Sequence, residues 1–324
     1  MYRRGAPPQS TQLWPASRVD ALLASASLEL PSDTTPVRLA QLVEHPAFER
    51  VVEIRTSPRI AADLDVDRLV DALHRSALRA LDLRFLELGD DAIARIAETP
   101  LDTLESLDVG AHFVRAPLTD YGLDAVLRGA PKLRHLGLHR AHPSHGGLEA
   151  FLTSPRVDAL ESLHLDFARI ALSAPPHGDW LAAFAGRDAP TALLQLALHS
   201  CNLLGYDVAR LAQSTRLGGL RVLDLSDNLL DAAGIEALAT STSLASLEEL
   251  VLHRMAFERA CVQPLVRRTG LPALRRLGIA HTIVMQNDEP PLNSVGELGA
   301  TTHSMGVDRT RQLFLAAGST LEIF

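Results

Sequence analysis

Lysine is almost missing from this chain: of its 31 basic residues only Lys132 is lysine, and the rest are arginine. That bias reads as GC-rich coding composition. Aromatic residues make up only 4%, and Cys201 and Cys261 are the sole cysteines. Two cysteines are too few for a disulfide framework or a cysteine-based zinc site. A reducing cytoplasm is the expected setting. No apolar run reaches the length of about 18 residues that suggests a membrane span, so no membrane contact is expected. The N-terminus, MYRRGAPPQSTQLWP, has two arginines but no apolar stretch after them, so no secretory signal is expected. A basic excess is also lacking. Thirty-nine acidic against 31 basic residues give a net charge of −8, which argues against nucleic acid as a partner.

Leucine is what the chain has in plenty: 58 of 324 residues. Much of it falls into a recurring L-x-x-L-x-L block. The series runs Leu78-Leu81-Leu83, Leu104-Leu107-Val109, Leu133-Leu136-Leu138 and Leu160-Leu163-Leu165. It continues as Leu193-Leu196-Leu198, Leu220-Leu223-Leu225, Leu247-Leu250-Leu252 and Leu274-Leu277-Ile279. Successive blocks start 26, 29, 27, 33, 27, 27 and 27 residues apart. Val52 with Ile54, and Leu321 with Ile323, fit the last two apolar positions of weaker blocks at the two ends. Within a block the apolar residues alternate, which is the strand period; between blocks the spacing turns helical, as in Leu230, Gly234, Ile235 and Leu238. Each unit is one short strand and one helix. Such a unit cannot bury its apolar faces alone, so the units must stack. Helices are wider than strands, so the stack should curve with its strands inside.

The pattern resembles the leucine-rich repeat family, and its ribonuclease-inhibitor-like subclass in particular. Residues 220–246 carry the resemblance best: Leu220, Leu223, Leu225, Asn228, Leu230, Gly234 and Leu238 fill the family's positions in order. It implies an α/β solenoid, a curved horseshoe of about nine to ten repeats with an inner parallel sheet and outer helices. The family's asparagine, which satisfies backbone groups at the end of the strand, is present as Asn228. Cys201 stands in its place in one repeat, and Leu86, His112, Ala141, Ala168, Met255 and Thr282 in the others. Somewhat irregular ascending loops are therefore expected.

The ends follow from the need to cap a solenoid. Residues 1–15 read as a flexible N-terminus, with Trp14 pinning it to a helical cap over 16–48. The repeats occupy 49–284. Residues 285–324 form a polar insertion, a capping helix near 307–316 and a final strand. A second insertion, ALSAPPHGDW, fills 171–180. Both insertions follow a strand and should project from one edge, where long loops on a rigid scaffold often carry function.

Alternation also lists the side chains of the inner face. That face is polar and mixed in sign, with neither a basic stripe nor a row of aromatics. Arg84, His139, Asp166, Gln195, His199, Glu249 and His253 are the candidate contacts for a protein partner recognised by complementary charge. Seven of the 13 histidines lie between His135 and His199, and His139, His142 and His145 form an H-x-x-H-x-x-H run. Scattered surface histidine is the preferred reading. The competing one is a metal site built from His139, His164, Asp166 and His199, whose side-chain types suit zinc, nickel or copper. No catalytic signature is present: there is no G-x-S-x-G elbow, phosphate-cradling loop or dinucleotide fingerprint. Asp82 and Asp108 share a column and could do acid–base work, but no pocket to desolvate them is expected. Ser162, His164 and Asp166 are spaced about 6–7 Å apart along one strand, too far for a hydrogen-bonded chain. The expectation is a non-catalytic protein-interaction scaffold without a cofactor. It would work through the strand face and the ascending-loop edge at 112–121, 139–147, 170–180 and 285–305. A metal-binding protein is the alternative. The resemblance adds a GTPase regulator, since some members of the subclass have that role.

Overall fold

A computed structural model describes residues 12–57, 66–73, 75–86, 88–98, 101–110, 118–166, 179–281, 283–285, 311–312, 314–316 and 318–324. The chain divides into two compact units, Met1–Pro143 and Ser144–Phe324.

In the first unit the described elements run α1 (Ala16–Leu22), β1 (Ser27–Leu30), α2 (Pro36–Val43), β2 (Glu53–Thr56) and α3 (Val66–Leu73). They continue as β3 (Ala80–Leu83), α4 (Asp90–Glu98), β4 (Ser106–Gly110), α5 (Asp120–Gly129) and β5 (His135–His139). The strands pair in parallel in chain order, β1 to β5. Each strand's central apolar residue meets the next in register: Leu28 with Ile54, Ile54 with Leu81, Leu81 with Leu107, and Leu107 with Leu136.

The second unit begins with α6 (His145–Leu152), α7 (Pro155–Asp158), β6 (Ser162–Asp166), α8 (Asp179–Ala185) and β7 (Gln195–His199). It goes on through α9 (Gly205–Gln213), β8 (Val222–Asp224), α10 (Ala232–Ala239), β9 (Glu249–Val251), β10 (Ala256–Glu258) and α11 (Val262–Arg267). Strands β11 (Arg276–Gly278), β12 (Ile283–Met285) and β13 (Glu322–Ile323) complete it. Its main sheet is again parallel, in the order β6, β7, β8, β9, β11, β13, while β10 and β12 form a separate pair. The register line here is Leu163, Leu196, Leu223, Leu250, Leu277, Ile323. All six are buried. Burying a leucine in this way contributes about 1.5–3 kcal/mol, so the repeated leucine both selects the register and holds it.

Helix packing explains Gly234. A Cβ there would lie 2.6 Å from the Cα of Gly205, so α9 and α10 approach at a distance only glycine permits. Asp231 caps α10 by accepting from Gly234 N at 2.8 Å. In the first unit Asp90 accepts from Thr119 N at 2.8 Å and Gly122 N at 3.1 Å, tying α4 to the start of α5.

Three expectations need correction. The N-terminal cap is not purely helical, because β1 lies between α1 and α2. Leu28 and Leu30 alternate with exposed Ser27 and Glu29, which is a strand period, and they extend the buried apolar line by one strand. The two end blocks are also shifted. Ile54 pairs with Leu81, so Val51, Ile54 and Thr56 are the buried set at the first end rather than Val52 and Ile54. At the other end Ile323 pairs with Leu277, the second apolar position and not the third.

The third correction concerns the turns after the strands. Among the described turns five share one backbone form despite the missing asparagines, whereas Phe85, at the same position after β3, departs from it. Arg140, Ser200, Asp227, Arg254 and His281, each two residues past the last apolar position, share a left-handed backbone with φ between 53° and 58°. The N–H of Ser200, Asp227 and Arg254 donates to the carbonyl of Ser226, His253 and Ala280, one repeat on. Backbone pairing thus supplies the order that the asparagine was expected to supply.

Trp14 is buried as expected. Its indole N–H donates to Asp33 at 3.1 Å, and its backbone exchanges two hydrogen bonds with the Gln41 side chain. Phe314, within the expected capping helix, is also fully buried. Half of that helix, most of the N-terminal segment, nearly all of both insertions, and His112, Ala168 and Thr282 lie outside the described residues.

Candidate functional site

Outward-facing strand residues are forced to the surface by the buried leucines beside them, and their charges neutralise one another at short range. In the first unit Arg84 grips Asp82, two residues earlier on β3, through Nε at 3.0 Å and Nη2 at 2.7 Å. The hydrogen bond to Asp82 raises the Arg84 pKa further above its ordinary value, against the opposing effect of burial. Arg55 does the same to Glu53 on β2, with Nε–Oε1 at 2.7 Å. Bonds from Ser27 and then Arg55 hold Glu53 below the usual carboxylate range. His139 Nε2 lies 3.3 Å from Asp108. Gly137 leaves room for this pair: a Cβ there would stand 1.9 Å from Asp108 Oδ1. Glu53, Arg55, Asp82, Arg84, Ser106 and Asp108 border a cavity of about 210 Å3.

The second unit carries a charge ladder that crosses several repeats. His199 Nδ1 lies 3.4 Å from Asp166 Oδ1 on β6, and its Nε2 lies 2.9 Å from Asp227 Oδ2 in the turn after β8. Arg254, from the turn after β9, binds the same Asp227 carboxylate. Two carboxylates facing the two ring nitrogens favour the imidazolium. Hydrogen bonds to Asp166 and Asp227 raise the His199 pKa from 6.5 to about 9, outweighing its partial burial. Arg254 Nη2 also lies close to His199 Nε2. Both are donors, and the carboxylate they share holds them together. Asp227 itself is lowered: burial pushes it up, but the His199 hydrogen bond and the Arg254 charge prevail.

Further along this face, Glu249 accepts from Arg276 Nη1 at 2.6 Å. Arg276 in turn stacks on Phe324, 4.7 Å from the ring centroid. His253 meets Phe324 edge-on at 5.8 Å, and burial lowers its pKa. Gln195 is exposed on β7. His164 sits on the same face of β6, half-buried.

Of the expected contacts, the structure brings Asp166 and His199 together and places Glu249 and His253 nearby in sequence but in different pairs. Arg84 and His139 belong to the first unit. Among the described residues no group of three or more His, Cys, Asp and Glu side chains is placed to hold one ion. The ring nitrogens of His199 point at separate carboxylates, which suits a proton on each and not a shared metal. Asp82 and Asp108 are already engaged by Arg84 and His139. Ser226 Oγ donates to Asp224 and accepts from His253 N at 3.0 Å, so that hydroxyl is committed as well. Cys201 and Cys261 are buried free thiols. Sequence reasoning missed Asp227 and Arg254 because it listed strand residues only. Their shared place two residues past the last apolar position was the available signal. Arg276 is among the inner-face residues that alternation gives, whereas Phe324 was missed because it stands alone and not in an aromatic row.

No protein-family model matches the chain, and no curated protein sequence does. Solved structures do. A chain of the Rad7–Elc1 complex from yeast superposes with a TM-score of 0.60 at 15% identity, covering 83% of this chain and 71% of that one. The leucine-rich repeat-containing protein LegL7 from Legionella pneumophila gives a TM-score of 0.50 at 17% identity, covering 94% and 97%. At such identities the likeness concerns architecture. Leucine repeat, register line and structural neighbours agree: the chain has the α/β leucine-rich repeat fold.

Proposed function

We propose that this chain is a non-catalytic interaction scaffold that binds a protein partner through the strand face and the turns that follow it. The observation that carries the reading is the pre-ordered charge on that face. Arg84, Arg276, His199 and Arg254 are each held by a carboxylate above a leucine floor fixed by register, so little side-chain freedom remains to be lost on docking. Mixed charge at fixed spacing selects a partner by complementarity. Similarity to a chain from the Rad7–Elc1 complex, an assembly of proteins, supports the same reading. Among the described residues no helix is long and apolar enough to cross a membrane. A cytoplasmic setting fits the two free thiols.

A photo-crosslinking residue at Gln195, exposed on β7, tests the proposal against one at Glu236, exposed on helix α10. In lysate of the source organism, a discrete crosslinked protein from position 195 and none from 236 is the expected result. Equal yields from both positions, or none from either, would overturn it.

A further inference from the structure

Two exposed apolar side chains stand on successive turns of the second unit. Tyr206 is 48% and Leu229 52% exposed. Single exposed apolar residues are ordinary on a protein surface. These two are linked: Leu229 forms a parallel bridge with Leu204, donating its N–H to the Leu203 carbonyl at 2.9 Å, and Tyr206 follows Leu204 by two residues in the first turn of α9. The backbone beneath them is fixed. Asn228 bonds four backbone groups, and Asp207 accepts from Leu204 N at 2.9 Å.

The turn that ends at Leu229 starts at Asp227, where Arg254 is bound. The Arg254 side chain is 53% exposed and its carboxylate partner 23%. Asp166 and Asp227 are directed onto His199 and Arg254, so the outermost charge of the group is the guanidinium. Leu229 therefore follows by two residues the carboxylate that holds Arg254, and the other N–H groups of this outward cation can donate to a second carboxylate.

We propose that Tyr206 and Leu229 form an anchor for an extended segment of a protein partner, which sets an apolar side chain there and an Asp or Glu carboxylate on Arg254. The proposal rests on the scaffold reading and narrows it to one patch and one partner chemistry. Tyrosine is a frequent interface anchor because it buries a large rigid group at low entropic cost.

Phage selection from a random 12-residue peptide library on the whole chain supplies the probes. Selected peptides are then titrated against wild type, a Tyr206→Ser/Leu229→Ser double variant, Arg254→Gln and Gln195→Arg, each checked for an unchanged helical signal and melting point. If Tyr206→Ser disturbs folding, Leu229→Ser alone replaces the double variant. The expected peptides pair an apolar residue with Asp or Glu. The double variant should lose about 30-fold in affinity, the size of a hot-spot loss, and Arg254→Gln several-fold. Peptides without acidic residues, or indifferent to the double variant, would overturn the anchor. If those peptides still lose affinity with Gln195→Arg, the strand-face reading stands without it; if nothing selected responds to either change, both fall.

Discussion

Arg216 reaches Asp158 across 58 positions of sequence, and its side chain is wholly buried where the two meet. Its guanidinium lies 4.9 Å over the Phe184 ring, and Arg187 binds the same carboxylate at 3.1 Å. Nε and Nη1 of Arg216 are buried without a partner. The ion pair therefore ties residues on either side of an intervening repeat at a high desolvation cost. Removing the carboxylate strands a buried charge, so Asp158→Ala should cost about 3–5 kcal/mol. Arg216→Met removes the desolvated group itself and leaves Asp158 paired with Arg187, so its loss should be much smaller. Urea unfolding of both variants decides this; equal losses would mean that the buried charge is not the dominant cost.

Asn228 and Cys201 occupy the same position in adjacent repeats and do unequal work. Asn228 Nδ2 donates to the carbonyls of Leu198, Leu225 and Ser226 at 2.7, 2.8 and 3.2 Å, and its Oδ1 accepts from Leu203 N at 3.0 Å. Cys201 Sγ makes long contacts to the carbonyls of Leu165 and His199, at 3.6 and 3.4 Å. Stranding several buried backbone groups at about 1–3 kcal/mol each, Asn228→Ala should lose at least about 3 kcal/mol. Cys201→Ala should lose about 1 kcal/mol, since a thiol is a weak donor. Thermal unfolding of the two variants compares them; a Cys201 loss as large as that of Asn228 would show that the thiol is a full member of the turn.

These two sites show what was legible beforehand. The leucine spacing gave strand positions because alternate burial leaves a period of two in any sequence that folds this way. Asn228 was legible through the resemblance, whose asparagine satisfies backbone groups at this position; its amide offers both donors and an acceptor there. Arg216 was not, since nothing in a helix-flanking T-R-L segment announces that the arginine turns inward to a carboxylate two strands away. Asp227 and Arg254 lie in turns whose left-handed backbone normally favours glycine or asparagine, and neither Ser200, Arg254 nor His281 signals it. The pairing of the expected strand-face contacts was not readable: the choice of Asp227 over Asp224 as the partner of His199 depends on the turn.

The ladder through His199 gives a pH dependence with a definite sign. The folded-state pKa, about 9, lies above the ordinary 6.5. Its stabilisation is therefore complete below 6.5 and is lost as pH rises through 9. The shift sets an upper limit of about 3 kcal/mol, which partial exposure reduces to about 1–2 kcal/mol. Asp227, lowered from 3.8, sets the acid limit: its contribution is present above 3.8 and is lost as pH falls through its depressed value. His199→Gln should thus be less stable than wild type between pH 5 and 8, with the gap closing by about pH 10. Melting points across that range test it. A gap that is constant with pH would assign His199 a packing role instead.

Arg140 isolates the cost of the turn backbone itself. It is exposed at the end of β5 and holds a φ of 58°. A non-glycine residue in that region carries a penalty of about 1–2 kcal/mol, and a β-branched one carries more. Arg140→Gly removes the penalty but gives the unfolded chain extra freedom, worth about 0.5–1 kcal/mol. The net expectation is no loss and up to about 1 kcal/mol of gain. Arg140→Val should lose about 1 kcal/mol or more. Glu236→Gly, on the exposed side of α10, is the control; it should lose about 1 kcal/mol because that backbone is helical. Chemical unfolding of the three variants reads the order directly. If glycine at 140 costs as much as glycine at 236, the left-handed turn is not strained, and the regular turns are held by their inter-repeat backbone bonds alone.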